Sequence, residues 1–113
     1  MTTTLNNFNV SQLTDAEVAI VSASSSEKKF IGAIEVFNTS TDNVEITLWL
    51  MAAATVGTTG LGSNERYVKT IPARRSLVIF DFQGQVVDNS MKLSGKASVT
   101  LVVNIVVSGS TET

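Results

Sequence analysis

Two glutamates in the stretch IEVFNTSTDNVEITLWL, residues 34–50, come nearest in type and spacing to catalytic chemistry. The stretch alternates apolar and polar residues, breaks at a polar turn and alternates again. It reads as a β-hairpin with Glu35, Phe37, Glu45, Thr47 and Trp49 on one face. Two close carboxylates split their pKa values and can act as general acid and base, as in glycosidases. The plainer reading leaves Glu35 and Glu45 solvated, or paired with Lys29, Arg66 or Lys69. It is the better one, because so short a chain offers little room for a sugar cleft. The chain contains no histidine and no cysteine. A Ser-His-Asp triad, an imidazole or thiolate metal site, a cysteine nucleophile and a disulfide are all excluded.

Other polar clusters read as turn chemistry. Asp88-Asn89-Ser90 and Thr41-Asp42-Asn43 carry oxygen ligands of the kind calcium uses, but neither has an acidic residue at the spacing that closes a site. GTTGLG at 57–62 lacks the spacing and the βα context of a dinucleotide fingerprint and reads as a loop tip. NVS at 9–11 and NTS at 38–40 match the glycosylation acceptor pattern without a secretory signal. Arg74 and Arg75 form a small basic spot in a turn, read as solvated charge. Phe37 and Trp49 face away from the apolar even-numbered side of the stretch. Either the chain's own loop or arm covers them, or they meet another subunit, where aromatics are enriched.

The elements that position these residues are strands. AEVAIVS places Ala16, Val18 and Ile20 on one face, and KFIGAIEVFN places Phe30, Ile34 and Val36 on one face, with Gly32 inviting close packing or a bulge. VEITLWLM turns Val44, Ile46, Leu48 and Leu50 inward. AAATVGTTGLGSN reads as a long loop. ERYVKTI is a strand stopped by Pro72, and LVIFDF is apolar on both faces. Two short extended pieces flank the DNS turn. In VTLVVNIVV, Val99, Leu101, Val103, Ile105 and Val107 alternate strictly with their neighbours, which predicts Leu101, Val103 and Ile105 buried with Ile46 and Leu48. Seven or eight short strands and no credible helix predict an all-β antiparallel sandwich, jelly-roll-like, over residues 15–113. Residues 1–14 carry Leu5, Phe8, Val10 and Leu13 at irregular spacing. They read as an extended N-terminal arm whose Phe8 anchors on a neighbouring subunit.

The bulk numbers agree with a structural role. At 113 residues the chain is one domain with one core. It is 43% hydrophobic and only 16% charged, with mean hydropathy +0.24, against roughly 25% charge in ordinary soluble domains. Ser and Thr, about a quarter of the residues, supply the polar surface. Neutral hydroxyls desolvate more cheaply than charges, which suits a protein surrounded by neighbours. Net charge is −2 and the pI about 4.9, so no basic face for nucleic acid is expected. The N-terminus does not read as a secretory signal, and no apolar stretch reaches the ~18–20 residues of a membrane helix. A soluble protein made in a cytoplasm is expected.

The order of features resembles small phage-encoded β-sandwich proteins of the virion. In those, a strand ending in V-x-N-x-S/T precedes a turn and an alternating strand, matched here by Val36, Asn38 and Ser40, then Ile46, Leu48 and Leu50. Their C-terminal pattern is matched by Ala97, Ser98, Val103, Ile105, Val107, Ser108, Gly109 and Glu112. The likeness covers about residues 16–112 and departs from the family between Val87 and Ser94, where DNSMKLSG stands in place of a glycine-aspartate turn. The resemblance implies a non-enzymatic capsid decoration (cement) protein of the bacteriophage head surface, without cofactor. It would be made in the bacterial host cytoplasm, contact the major capsid protein or other virion subunits, and self-associate, with no nucleic-acid, membrane or small-molecule partner. Leu5, Phe8, Val10, Phe37, Trp49 and Leu61 are the interface candidates. A tail or connector component, or a carbohydrate-binding or host-adhesion module displaying the 52–64 loop, are the alternatives.

Overall fold

A computed structural model describes residues 3–52 and 65–113. Nine strands run in chain order: β1 (Thr3–Gln12), β2 (Val18–Ser22), β3 (Lys28–Asn38), β4 (Val44–Ala52), β5 (Glu65–Ile71), β6 (Ser76–Ile79), β7 (Val86–Val87), β8 (Met91–Ala97) and β9 (Val103–Glu112). They form two antiparallel sheets. The first has the order β1-β9-β3-β6, with β7 also pairing β3, and the second has the order β2-β8-β4-β5. The partnerships nest: β1 with β9, β2 with β8, β3 with β6 and β7, β4 with β5. The chain is thus one long folded ribbon rolled so that β9 meets β3 and β8 meets β4, the connectivity of a jelly roll.

Alternation builds the core. Ile34 and Val36 of β3, Val44, Ile46 and Leu48 of β4, and Val103, Ile105 and Val107 of β9 are all completely buried between the sheets. Leu13, Ile71, Leu93 and Phe82 fill the remaining interior, and Tyr67 meets Phe82 edge-on at 6.2 Å between ring centroids. Gly95 of β8 sits where a side chain would press on the ends of Leu48 and Ile20, so a larger residue there would require those two side chains to shift.

Several expectations need correction. Residues 34–50 are not a hairpin. β3 and β4 lie in different sheets, and residues 39–43 form a corner between them. Alternation says which side chains face inward, and two strands facing each other across a core satisfy it as well as two strands side by side. Bulges then shift two faces. The register of β3 slips between Ile31 and Ala33, so Ile31 rather than Phe30 turns inward. In β2 the slip between Ala19 and Val21 buries both Ile20 and Val21 while Val18 stays exposed. β6 ends at Ile79, short of the full LVIFDF run, and Phe80 is exposed while Phe82 is buried. Leu101 is not a core residue: it stands 57% exposed with φ 60° in the turn before β9. Its N–H donates to the Leu13 carbonyl, and an exposed left-handed turn residue cannot share the inward face of the strand that follows.

The N-terminal arm is a strand of the domain. β1 pairs with β9 from Thr3↔Glu112 to Gln12↔Asn104, with one bulge at Phe8. Backbone pairing, which needs no side-chain period, organises it. Phe8 packs against the core of its own chain, beside Gly109 and under the Lys29 ammonium at 5.6 Å. Leu13, which follows β1, is wholly buried.

The corners are fastened by one side chain. Asn38 is completely buried at the end of β3. Its Nδ2 donates to the carbonyls of Asp42 at 2.8 Å and Ile71 at 2.9 Å, with Pro72 at 3.3 Å. Its Oδ1 accepts from the Ser40 N–H and hydroxyl at 2.9 and 2.8 Å. We expect Asn38→Ala to lower unfolding free energy by about 2–4 kcal/mol, since several buried backbone groups lose their partner. Asn38→Asp should cost at least as much near neutral pH, because it turns the donor into an acceptor facing carbonyls. Denaturant melts check both, and an Asp variant as stable as the parent would mean that shape alone matters at this site. Removing residues 2–10 should likewise destabilise the isolated domain by about 2–4 kcal/mol, through lost Phe8 packing and an uncovered β9 edge. Thermal melts of the truncated chain measure it.

Candidate functional site

The two outer faces of the sandwich differ. On the β2-β8-β4-β5 sheet the outward residues Thr47, Trp49 and Ser94 are buried, Trp49 to 4% exposure, with the Lys96 ammonium 6.0 Å from its ring centroid. Trp49 therefore offers no free surface, which removes it from the interface candidates.

The outer face of the β1-β9-β3-β6 sheet is open. Its register sets up five cross-strand rows: Thr3–Glu112–Lys28, Leu5–Ser110–Phe30–Val86, Asn7–Ser108–Ala33, Val10–Val106–Glu35–Val78 and Gln12–Asn104–Phe37–Ser76. Lys28 and Glu112 stand opposite each other in the first row, and Glu35 is the one ionisable residue in the other four. Phe37 is 38%, Val78 43% and Leu5 84% exposed, and Phe80, just beyond β6, is 59% exposed. Two shallow grooves cross the face. One, of about 730 Å³, runs over the bulged crossing of β3 and β9, with Leu5, Phe30, Gln83 and Ser110 along it. The other, of about 480 Å³, lies between Gln12, Glu35, Phe37 and Asn104.

The first groove exists because β3 and β9 approach closely. A side chain at Gly109 would collide with the Phe30 carbonyl and with Phe8, so this crossing demands glycine. The Gly32 bulge then lets Phe30 stay on the outer face while Ile31 enters the core.

Among the sequence candidates, Leu5 and Phe37 lie on this open face, whereas Phe8 and Trp49 are engaged within the chain. Val10 is paired with Val106 through its backbone. Leu61 and the 53–64 part of the predicted loop lie outside the described residues. Val78, Val106 and Phe80 were not among the candidates. LVIFDF read as apolar on both faces, but that pattern does not say whether the outer face is covered, and here Val78 and Phe80 are exposed.

Chemically the face can bind but has no catalytic pair. Glu35 and Glu45 occupy the outer faces of opposite sheets, so they cannot share a substrate. Among the described residues no group of three or more metal-ligating side chains comes together, and no helix is long and apolar enough to cross a membrane. Arg74 and Arg75 are exposed in the turn after Pro72, whose carbonyl accepts from the Arg75 N–H.

The DNS cluster is a turn. The Asp88 carboxylate accepts from the Ser90 hydroxyl at 2.6 Å and the Ser90 N–H at 2.9 Å. These bonds hold its pKa below the usual aspartate value of 3.8, with a smaller contribution from Lys28. A carboxyl depressed in the folded state contributes stability above its unfolded pKa, and that contribution is lost as pH falls through the folded value. The Asp88 carboxyl resonance should therefore titrate with a midpoint below that of an unfolded peptide, and Ser90→Ala should return it toward 3.8. An NMR pH titration checks both.

Comparison with protein-family models, curated proteins and solved structures finds no match to this chain.

Proposed function

We propose that this protein is a non-enzymatic virion component, a bacteriophage capsid decoration protein that lies across joints between coat subunits. The observation that carries the reading is the open face of the β1-β9-β3-β6 sheet. It presents Phe37, Val78, Val106 and Leu5 among hydroxyls and amides, with Glu35 the one charge among them and Lys28 and Glu112 opposite each other at one end. Low charge with aromatic and aliphatic anchors is the composition of the core of a protein interface. The jelly-roll connectivity is one that viral capsid proteins use widely, and it agrees with the resemblance in the sequence. Each apolar side chain fully covered on binding contributes about 1.5–3 kcal/mol. Many copies on one shell turn such modest contacts into mechanical reinforcement.

The reading requires the protein to travel with particles. In a density gradient of lysate from the host that expresses it, the protein should band with intact heads. Phe37→Glu should release it from them by at least tenfold while leaving its circular dichroism unchanged. Absence from every particulate fraction overturns the reading, and a band confined to tails would assign it to the tail instead. A second reading, glycan binding in host adhesion, draws on Phe80, an exposed ring in a turn with Asp81 and Gln83. Binding to a glycan array that Phe80→Ala abolishes would favour it.

A further inference from the structure

A sheet edge exposes unpaired N–H and C=O groups and will accept another strand unless something blunts it. Of the four edges in this sandwich, three are blunted. β6 has four residues and β2 five, the latter preceded by Glu17 with Lys92 at 3.9 Å. β5 is longer but carries Glu65, Arg66 and Lys69. β1 is different. It is ten residues long, and no charged residue and no proline occurs anywhere in residues 1–14. Its one irregularity, the bulge at Phe8, divides the strand and leaves Thr3–Asn7 as a regular run.

We propose that this run pairs with the same run of a second copy, antiparallel about a two-fold axis through Leu5. The proposal goes beyond attachment to a shell and does not depend on it. Three observations converge on a second copy as the occupant. Antiparallel pairing about Leu5 sets Thr3 opposite Asn7 of the second copy and Thr4 opposite Asn6 of the second copy, so polar meets polar at every flanking position. The strand also has no charge of either sign, so a copy of itself meets no like-charge repulsion, which most isologous contacts must avoid. Finally, Leu5 is the most exposed large apolar residue described, at 84%. Directly opposite residues of an antiparallel pair hold their Cβ atoms about 4.5–5.5 Å apart. The axis thus places the two Leu5 side chains against each other at the rim of the larger groove, next to Ser110 and Phe30. The two five-stranded sheets become one continuous sheet, and their open faces join into a single surface.

The chain has no cysteine, so one introduced thiol reports the geometry without background. In sedimentation velocity the full-length protein should show a concentration-dependent monomer–dimer equilibrium. Leu5→Lys sets two ammonium groups against each other, and should weaken dimerisation at least tenfold while melting like the wild type at concentrations where both are monomeric, since the side chain is exposed in the monomer. Leu5→Cys should form a disulfide-linked dimer under mild oxidation. Ser11→Cys, an exposed position on the far side of the bulge, should not. A wild-type chain that stays monomeric across the concentration range overturns the proposal, as does undiminished dimerisation of Leu5→Lys. Cross-linking through Ser11→Cys but not Leu5→Cys overturns the stated register. Presence or absence of the protein in particle fractions leaves these outcomes unchanged, so failure here and failure of the virion reading are distinguishable.

Discussion

A sandwich in which most connections cross from one sheet to the other depends on its corners, and here the amide of Asn38 holds two of them. The donor groups of Asn38 reach the carbonyls of the 39–43 corner and of the Ile71–Pro72 corner, while its oxygen takes both donors of Ser40. Backbone groups at a corner have left one ladder and not yet joined the next, and buried there without partners they cost about 1–3 kcal/mol each. A side chain with two donors and one acceptor, short enough to reach both corners, settles that deficit at one point. Neighbouring bonds extend the fastening. The Asn38 N–H donates to Arg75, and Thr39 sends both its N–H and its hydroxyl to Val102, tying the turn before β9 to the same end. The Asn and Ser of the motif that suggests a virion family are thus required by the fold. So is Gly109, where β3 and β9 touch. The resemblance therefore speaks most directly to the sandwich, and any role beyond the fold lies with the residues of the open face.

Where alternation ran unbroken, the fold was legible in the residues. Val44, Ile46, Leu48 and Leu50, and Val103, Ile105 and Val107, point inward as their spacing requires. The turns at Pro72 and Asp88-Asn89-Ser90 stand where proline geometry and aspartate side-chain chemistry put them. Pairing was less legible, for a physical reason. Period-2 patterning assigns a face, but the difference between a hairpin and a corner lies in which backbone the strand meets, and residues 39–43 are polar in either case. Each bulge adds one residue to one strand and reverses the parity beyond it, so Phe30 and Ile31 exchanged roles although Gly32 was the visible cue. β1 shows no period because Phe8 interrupts its register and, among the described residues, its outer edge has no strand partner.

The same limits explain the site. Leu5 and Phe37 could be singled out because large apolar residues stood on positions that alternation assigns outward. Trp49 met the same criterion and is nevertheless buried, because whether an outer face is covered depends on the packing of distant segments and not on local pattern. Leu101 failed for a different reason: it continues the alternation on paper, but a left-handed turn intervenes before Val103.

The two outer faces point to a division of labour. One buries its tryptophan and threonine and has Lys96 at its surface; the other keeps Leu5, Phe37, Val78 and Val106 among mostly neutral groups, with Glu35 charged in their midst and Lys28 and Glu112 opposite each other at one end. Such a difference does not stabilise the monomer, because exposed apolar side chains gain nothing by facing water. It lowers the desolvation cost of covering the middle of that face, since Glu35 is the one charge there to strip of water. Glu35, set between Val106 and Val78, is then the group that any covering surface must match with a donor, because a carboxylate buried without one is costly. On the proposed reading the apolar anchors would supply the affinity of this face, and Glu35 its selectivity.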